Sequence, residues 1–456
     1  MLIKNYSKIF YLFLISHFAV WVFVPTFTNL NLPLDTIEAL AWGSNLSWGY
    51  TKHPPMSAFM TEIIYSFFGN NDWAYYLLSQ ICVLIAFIYV WKFANLFFKN
   101  NFYAFCSSIV LVGIYFFNFT TPEFNVNVCL LPFWSLTVYY SWKALNEKKT
   151  SDFILMGVFM TLGFLSKYLF IFLMIGIKII FLIEIFENKK FSMKYFIPGI
   201  VFMILIVPHL IWLYQNNFIT LSYAFNRAGL AEKEIIDHIF NPLIFLLKQL
   251  LILTPVAIIF NTLLKTKKIN LNFKQKKNKF IVLIVFVPLI LILLTSLISG
   301  AKIRTMWMTP FYLFLGVFLV QLFIKKIKKE NIHKFIILSA IFFLISPISY
   351  AYVSIKNEFK RTDYPGQEIA NLVQRRWNDN YSNNISIVIG DEWYAGNLSY
   401  HLQSRPTWYN TIEKNLSIVN SNTGVIYTGN PKILKKSCPG VYGTIKPIGI
   451  CMIGKK

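Results

Sequence analysis

Residues 33–43 read PLDTIEALAWG and residues 48–55 read WGYTKHPP. This loop follows the first hydrophobic segment, and it places Asp35, Glu38, Lys52 and His53 within about twenty residues of one another. Charged side chains beside a bilayer are costly, and they are retained where they do chemistry or pair with each other. The loop is therefore predicted to form a reactive site that faces the space outside the membrane, in a chain otherwise dominated by apolar helices.

The composition is that of a polytopic membrane protein. The chain of 456 residues is 56% hydrophobic, 18% aromatic and only 14% charged, and its mean hydropathy is +0.53. Apolar runs long enough to cross a bilayer recur along it. The first run lacks a small-residue cleavage site, which predicts a retained signal anchor. We predict a mainly α fold with about eleven spans, at 9–28, 73–98, 102–118, 126–143, 152–166, 168–187, 195–214, 242–264, 280–298, 306–324 and 334–353.

The basic residues behind the net charge of +23 are concentrated in connections predicted to lie on one side of the membrane. One alternating set of predicted connections holds 22 lysines. The other set, before the C-terminal tail, holds six basic residues: Lys52, Lys167, Arg227, Lys233, Lys302 and Arg304. The positive-inside rule makes the first set cytoplasmic, so the N-terminus is predicted inside and the tail outside the cell inner membrane. The basic excess is thus a topology signal with lipid headgroups as partners, which argues against a nucleic-acid partner.

The chain is predicted to divide into a transmembrane domain, 1–353, and a small periplasmic α/β domain, 354–456. Helix and strand patterns alternate in the tail, at 365–377, 385–389, 393–402 and 424–428. Gly390, Asp391 and Glu392 follow the first strand and admit a catalytic interpretation, although a plain turn is the more common explanation. Cys438 and Cys451 flank a Pro/Gly-rich loop in an oxidising compartment, so we predict a disulfide between them.

The two acids of the first loop, Asp35 and Glu38, are candidate catalytic residues. A carboxylate at a water–membrane boundary can act as a base, orient an acceptor or hold a metal ion. The alternative is a solvated loop in which Asp35 caps the helical run 37–41. Lys52 and His53 precede two prolines, which fix the backbone and present a cation and an imidazole in one direction. This arrangement suits a phosphate ligand, whereas the alternative is a lysine that snorkels to the membrane interface.

Two further polar clusters are predicted on the same membrane face. Glu123 lies beside a helix start, where it could stabilise the helix N-terminus or join the site of the first loop. Lys302 and Arg304 interrupt a face with few basic residues, and such a pair can clamp a phosphate. The alternative is an exception that the positive-inside rule tolerates. Together the clusters suit an anionic lipid headgroup, with an apolar groove for its tail.

Several stretches resemble the bacterial branch of glycosyltransferase family 39, the family of the protein O-mannosyltransferases and the lipid A aminoarabinose transferases. The resemblance covers most of the membrane region. It is carried by LDTIEALAWG (34–43), WGYTKHPP (48–55), TPEFNVNVCLLPFW (121–134), GFLSKYLF (163–170), PHLIWLYQNNFITLSYAFNRAG (208–229) and SGAKIRTMWMTP (299–310). It implies a GT-C fold and an enzyme that takes a sugar from a polyprenyl phosphate with inversion of the anomeric centre.

The resemblance also implies roles for individual residues. Glu38 matches the glutamate of the family's Asp-Glu pair, whose aspartate would fall at Ile37, so Asp35 is displaced by two positions. Lys52 stands where the family has a metal-binding acid, which leaves a divalent metal open. The remaining matches imply contacts with the donor phosphate, and they are His53, Glu123, Lys302, Arg304 and Trp307.

The sequence therefore predicts an integral membrane glycosyltransferase that moves a sugar from a polyprenyl-phosphate donor to an envelope acceptor. The acceptor would be lipid A, another glycan or an exported protein. The main alternative is a transporter or flippase for lipid-linked sugars, which would place charges along a path through the membrane. Charges here cluster at one face, with Lys178, Glu184 and Lys248 as the mid-membrane candidates. A structural scaffold would explain the basic loops but not the motifs of the outer face.

Overall fold

The structure is a computed structural model that describes residues 5–189, 191–227, 234–265, 275–410 and 422–456. Six lysines of the charge pattern lie outside the described residues, namely Lys4, Lys190, Lys233, Lys267, Lys268 and Lys274. The α-helices are α1 (Tyr6–Thr28), α2 (Leu34–Gly43), α3 (Met56–Phe68), α4 (Asp72–Phe98), α5 (Asn101–Ile109), α6 (Val126–Glu147), α7 (Thr150–Ser166), α8 (Ile171–Asn188), α9 (Ile197–Gln215), α10 (Ile219–Arg227), α11 (Asp237–Asn261), α12 (Lys276–Ser299), α13 (Leu315–Phe323), α14 (Ile332–Lys356), α15 (Gly366–Asn378), α16 (Tyr394–His401) and α17 (Pro431–Ser437). Short 3₁₀ helices lie at Val110–Gly113, Tyr115–Phe117, Tyr168–Phe170, Met193–Phe196, Thr305–Tyr312, Lys329–Asn331 and Arg361–Asp363. The strands are β1 (Ile385–Ile389), β2 (Thr407–Tyr409), β3 (Gly424–Gly429), β4 (Val441–Ile445) and β5 (Ile448–Ile453).

Seven helices in the described part of the chain are long and apolar enough to cross a membrane: α1, α4, α8, α9, α11, α12 and α14. The 3₁₀ helix Thr305–Tyr312 and α13 form a pair bent by 56°, which would make an eighth span. The predicted spans 102–118 and 152–166 hold shorter apolar helices, and 126–143 holds α6, which carries Asn127 and Lys143. The chain is therefore an integral membrane protein with a mainly helical fold, as predicted, while the number of eleven spans stays a prediction.

The helical bundle is built around α6, which packs against α4 and α7, while α1 packs along α4. Large aromatic rings fill the contacts. Phe10 stacks on Trp91 with 4.3 Å between ring centroids, and the buried Trp134 meets Phe311 at 5.0 Å. Close packing of this kind stabilises helix association in lipid, where water does not drive the helices together. Because α1 and α4 are neighbours, the loop between them, with α2 and α3, lies at one end of the bundle.

The C-terminal residues form the small α/β unit that the sequence predicts. The strands have the order β2-β1-β3-β5-β4, with β1 parallel to β2 and β3, and β5 antiparallel to β3 and β4. The patterns at 365–377, 385–389, 393–402 and 424–428 correspond to α15, β1, α16 and β3. The predicted disulfide is present, and it joins Cys438, at the end of α17, to Cys451 of β5.

The α/β unit packs directly on the loop between α1 and α4. Buried Trp42, Tyr50 and Ala58 share one hydrophobic cluster with Val373 and Trp408 of the C-terminal part. Helix α16 lies close against α2, since a Cβ added at Gly396 would stand 3.1 Å from Cγ2 of Ile37. The division at residue 353 therefore stays a prediction, and the site described next is built from both sides of it.

Candidate active site

Helix α2 carries both predicted catalytic acids in ten residues. Pro33 occupies the N-cap position with an extended backbone, and Asp35 lies in the first turn, where a carboxylate interacts favourably with the helix dipole. The suggestion that Asp35 caps the helix is wrong, because Pro33 takes that position and donates no side-chain cap. Most of α2, from Thr36 to Gly43, is buried, so its acids are held in a desolvated setting rather than in a solvated loop.

Polar contacts at both ends hold α2 in place. At its start, the Asp35 N–H donates to Oε1 of Glu123 at 3.1 Å, and the Thr36 hydroxyl donates to the Phe124 carbonyl at 3.1 Å. Near its end, the Arg405 guanidinium donates to the Leu40 carbonyl at 2.7 Å and pairs with Glu62 of α3 at 2.8 Å. The helix is thereby fixed by the bundle on one side and by the C-terminal unit on the other.

The segment 48–55 is held against α9 and α10. The Trp48 carbonyl accepts a 2.6 Å hydrogen bond from Nδ1 of His209. The other ring nitrogen of His209, Nε2, is hydrogen-bonded to the Tyr168 hydroxyl at 2.8 Å. Thr220 donates to the Tyr50 carbonyl at 2.7 Å. A Cβ at Gly49 would lie 2.3 Å from the Trp212 ring, so only glycine allows this approach. His209 is accordingly a packed, hydrogen-bonded histidine, and its contacts help to hold the segment that carries Lys52 and His53.

Lys52 lies between two carboxylates. Its Nζ is 2.8 Å from Oε2 of Glu38 and 3.1 Å from Oε1 of Glu392, and all three side chains are largely buried. Burial raises the pKa of Glu38 to about 7, while Lys52 opposes the rise and Glu392 adds to it. Burial alone would lower the pKa of Lys52, but the carboxylates of Glu38 and Glu392 raise it above its ordinary value. Lys52 therefore remains an ammonium ion. Glu392 was given only a weak catalytic interpretation from sequence, and the structure brings it into the site.

A cavity of about 540 Å³ opens beside the start of α2. Its walls include the acids Asp35 and Glu123. Its basic residues are Arg227, Arg304, Lys360 and Arg361. Burial raises the pKa of Asp35. That rise is opposed by four cations, Lys52, Lys167, Arg361 and Arg304. Burial and the nearby Asp35 raise the pKa of Glu123. Two desolvated carboxyls thus face an excess of fixed cations, which is the setting an anionic ligand requires.

Lys167 is a buried lysine between α7 and α8 that the sequence analysis counted only as an outer-face charge. Its Nζ donates to Oδ1 of Asn127 at 2.7 Å and stands 4.9 Å above the Trp307 ring. Burial, opposed by Asp35 and aided by Arg304, lowers the pKa of Lys167 to about 7. The ammonium can therefore lose its proton near neutral pH. Lys167 belongs to the stretch GFLSKYLF, and its contact with the Trp307 ring places that predicted residue next to the site.

His53 and Lys302 are placed differently from the other predicted residues. Burial lowers the pKa of His53 to about 3, helped by Lys167 and Lys52, so the imidazole is neutral and offers a hydrogen bond rather than a charge. Its ring meets Trp42 edge-on at 6.1 Å. Lys302 is exposed and is not among the described residues that line the cavity, whereas Arg304, two residues on, is.

A divalent metal does not fit the carboxylates as they stand. The described residues contain no group of three or more His, Cys, Asp or Glu side chains placed to hold an ion. The carboxylates of Glu38 and Glu392 are both bound to the Lys52 ammonium group, at 2.8 Å and 3.1 Å. A cation of the protein's own therefore occupies the position that a metal ion would need.

The helical bundle with its docked α/β unit has the fold of known membrane proteins. A family model for dolichyl-phosphate-mannose-protein mannosyltransferases matches residues 52–212. Two solved structures of ArnT from Cupriavidus metallidurans match across 98% of both chains. The one bound to undecaprenyl phosphate is 10% identical with a TM-score of 0.67, and the apo form is 9% identical with a TM-score of 0.65.

At these identities the solved structures establish the fold. The GT-C fold implied by the sequence resemblance is therefore confirmed, and the family-model match supports the same resemblance between residues 52 and 212. No curated protein sequence matches the chain significantly.

Proposed function

We propose that the protein is an integral membrane glycosyltransferase that moves a sugar from a polyprenyl-phosphate donor to an envelope acceptor, with inversion at the anomeric carbon. The observation that supports it most is the cavity in which Asp35 and Glu123 face Arg227, Arg304, Lys360 and Arg361. The family match to mannosyltransferases and the fold match to a structure that binds undecaprenyl phosphate point to the same donor class.

The donor phosphate is assigned to the basic side of this cavity. Guanidinium groups bind phosphate oxygens through paired hydrogen bonds, and three of the four cations are arginines. As the bond between the sugar and the phosphate breaks, negative charge grows on the phosphate, and fixed cations stabilise that charge most in a desolvated site. His53 and Trp307, which lie beside Lys52 and Lys167, would border the donor rather than carry its charge.

The acceptor is assigned to the side of helix α2, with Glu38, which lies next to the cavity lining on that helix, as the base and the lining residue Asp35 as the alternative base. The acceptor hydroxyl or amine attacks the anomeric carbon, and its proton passes to the carboxylate. The carbon–oxygen bond to phosphate breaks, and its electron pair leaves with the polyprenyl phosphate. A single displacement of this kind inverts the anomeric centre. A base works best when its pKa is near the working pH, and the pKa of Glu38 is about 7.

The site is assigned to the outer face of the cell inner membrane. This assignment rests on the excess of lysine on the opposite set of connections. The α/β unit docks on α2 and α3 and would then also lie outside. The acceptor, whether lipid A, another glycan or an exported protein, would approach from that side.

The test is transfer of a radiolabelled sugar from a synthetic polyprenyl-phosphate donor by the purified full-length protein in detergent. We expect labelled product with an inverted anomeric configuration. Movement of the donor across proteoliposomes with no transfer would instead support a flippase. Neither transfer nor movement, with donors of several sugars, would overturn the proposal.

A further inference from the structure

The contact between Lys52 and Glu392 joins two parts of the chain that are far apart in sequence. Lys52 lies in the loop after α2, and Glu392 follows β1 in the C-terminal unit. Its Nζ reaches Glu392 at 3.1 Å and Glu38 at 2.8 Å, and the three side chains are 26%, 14% and 10% exposed. Ion pairs this sheltered depend on their geometry, because each charge has given up most of its water.

We propose that Lys52 is a positioning residue whose ammonium group holds the Glu38 carboxylate toward the acceptor, and that Glu392 is the second anchor of that ammonium group. The inference rests on the proposed function, since it assigns Glu38 to the acceptor. It gives the C-terminal unit a part in the reaction, because this unit supplies one side of the bridge.

The turn that carries Glu392 is built to hold it in place. Gly390 has a φ of +154°, and a Cβ there would lie 1.8 Å from Oγ1 of Thr428, so this position accepts only glycine. Oδ1 of Asp391 accepts from the N–H groups of Trp393 and Tyr394 at 2.8 Å each and fixes the start of α16. The turn explanation is thus correct for Gly390 and Asp391, while Glu392 is free to extend to Lys52.

Lys52 and Glu392 act on the proton affinity of Glu38 in opposite directions. The charged groups that act electrostatically on Glu38 are Lys52 from the following loop, Glu392 from the C-terminal unit, Asp35 from its own helix and Glu123 from the loop before α6. Lys52 lowers the pKa of Glu38, whereas the carboxylate of Glu392 raises it. Removing the two charges one at a time should therefore shift the proton affinity of Glu38 in opposite directions.

The experiment measures single-turnover transfer against pH in detergent for wild type, Lys52→Gln, Glu392→Gln and Lys52→Arg. The acid limb of the profile reports protonation of the base. We expect it to move to higher pH in Lys52→Gln, by about 1–3 pH units, the usual effect of an opposite charge at this range. It should move to lower pH in Glu392→Gln and stay near the wild-type position in Lys52→Arg. Glu368→Gln, which removes an exposed acid of α15 in the same unit, is the matched control and should leave the profile unchanged.

Opposite shifts would support the bridge, because a merely structural role would lower the rate without moving the limb in both directions. Limbs that stay fixed, or that move the same way in both glutamine variants, would overturn it. If Lys52→Gln fails to fold by size-exclusion chromatography, Glu392→Gln against Lys52→Arg still decides, since only the former should shift. A wild-type protein that transfers no sugar would instead remove the proposed function itself.

Discussion

The backbone N–H of Asp35 donates a 3.1 Å hydrogen bond to Oε1 of Glu123. This contact ties the first turn of α2 to the loop before α6, and it places two carboxyl groups at one wall of the cationic cavity. Glu38, one turn further along α2, is turned instead toward Lys52. The acids of one short helix therefore serve two sides of the site, which allows their roles to be separated by substitution.

Replacing Glu38 by glutamine should lower the rate of transfer by about 10²-fold or more, the usual scale for a positioned acid or base. The shape of the side chain is kept while its charge is lost, so donor affinity should persist. In the wild type, the rate should fall as the pH drops below about 7, because burial raises the pKa of Glu38 to about 7 and the protonated form cannot accept a proton. Single-turnover rates and donor affinity, measured separately, check both statements.

Asp35→Asn is the paired variant for this test. Should Glu38→Gln transfer sugar at the normal rate while Asp35→Asn does not, Asp35 takes the role of the base. Activity in both single variants and in the double variant would show that the loop does not supply the catalytic carboxylate.

Arg304→Ala and Arg361→Ala should weaken donor binding, and they should also slow the chemical step at saturating donor, because the same guanidinium groups stabilise the charge that grows on the leaving phosphate. Each removes a guanidinium from the cavity wall, and a charge-assisted hydrogen bond contributes about 1.5–3 kcal/mol. We expect affinity to fall by about tenfold or more for each. Lys302→Ala should cost less, because Lys302 is exposed and outside the cavity lining. Titration with a fluorescent polyprenyl phosphate measures the affinities, and Arg375→Ala, an exposed site on α15, controls for loss of positive charge.

The sequence predicts the elements of this protein well because their signals are local. Apolar runs mark the helices, alternation marks β1 and β3, and the compartment and spacing of Cys438 and Cys451 indicate the disulfide. The sequence also singles out the two acids of α2, Glu123 and Arg304 as candidates, because charge is rare beside a membrane. These features need no knowledge of which distant segments meet.

The partners of those residues were missed because they depend on long-range packing. Glu392 reaches Lys52 only because the α/β unit docks on α2, and no pattern near Glu392 encodes that docking. Lys167 was visible as a lysine between two spans, a signal that could have marked it as buried. Lys360 and Arg361 lie shortly after the end of α14. Basic residues next to a membrane span are ordinarily interpreted as signals of membrane topology, so these two were not recognised as cavity residues. The number of eleven spans stays a prediction, because α5 and α7 are apolar but shorter than the seven candidate membrane-spanning helices of the described residues.

Transfer should be insensitive to chelation of divalent metal ions. The reason is geometric, since the Lys52 ammonium group lies between Glu38 and Glu392 and neutralises the carboxylates there. We expect wild-type protein treated with EDTA and desalted to keep its single-turnover rate. A rate that is lost and then restored by Mg²⁺, Mn²⁺ or Zn²⁺ would contradict this prediction and would require Lys52 to move aside.

Breaking the bond between Cys438 and Cys451 should destabilise the α/β unit. The bond closes a loop with a sequence separation of 13 and fastens the end of α17 to β5. Closing a loop of that size stabilises a fold by about 2–3 kcal/mol in the chain-entropy model. The double variant Cys438→Ala/Cys451→Ala should therefore melt earlier by near-UV circular dichroism in detergent, and reductant should lower the melting temperature of wild type but not of the variant. Free thiols at both positions in protein purified without reductant would contradict the bond.

The orientation of the C-terminus is the prediction on which the placement of the site depends. Lysine is concentrated on one alternating set of connections, which places the other set, and the tail, outside the cytoplasm. Because Arg405 and Glu392 contact α2, α3 and Lys52, the tail and the site must share one side of the membrane. A reporter fused after Lys456 that is active only in the cytoplasm should stay silent, while one active only outside should respond. Strong cytoplasmic activity would contradict the predicted topology. It would show that the tail, and with it the carboxylates and the cationic cavity, lies on the inner face.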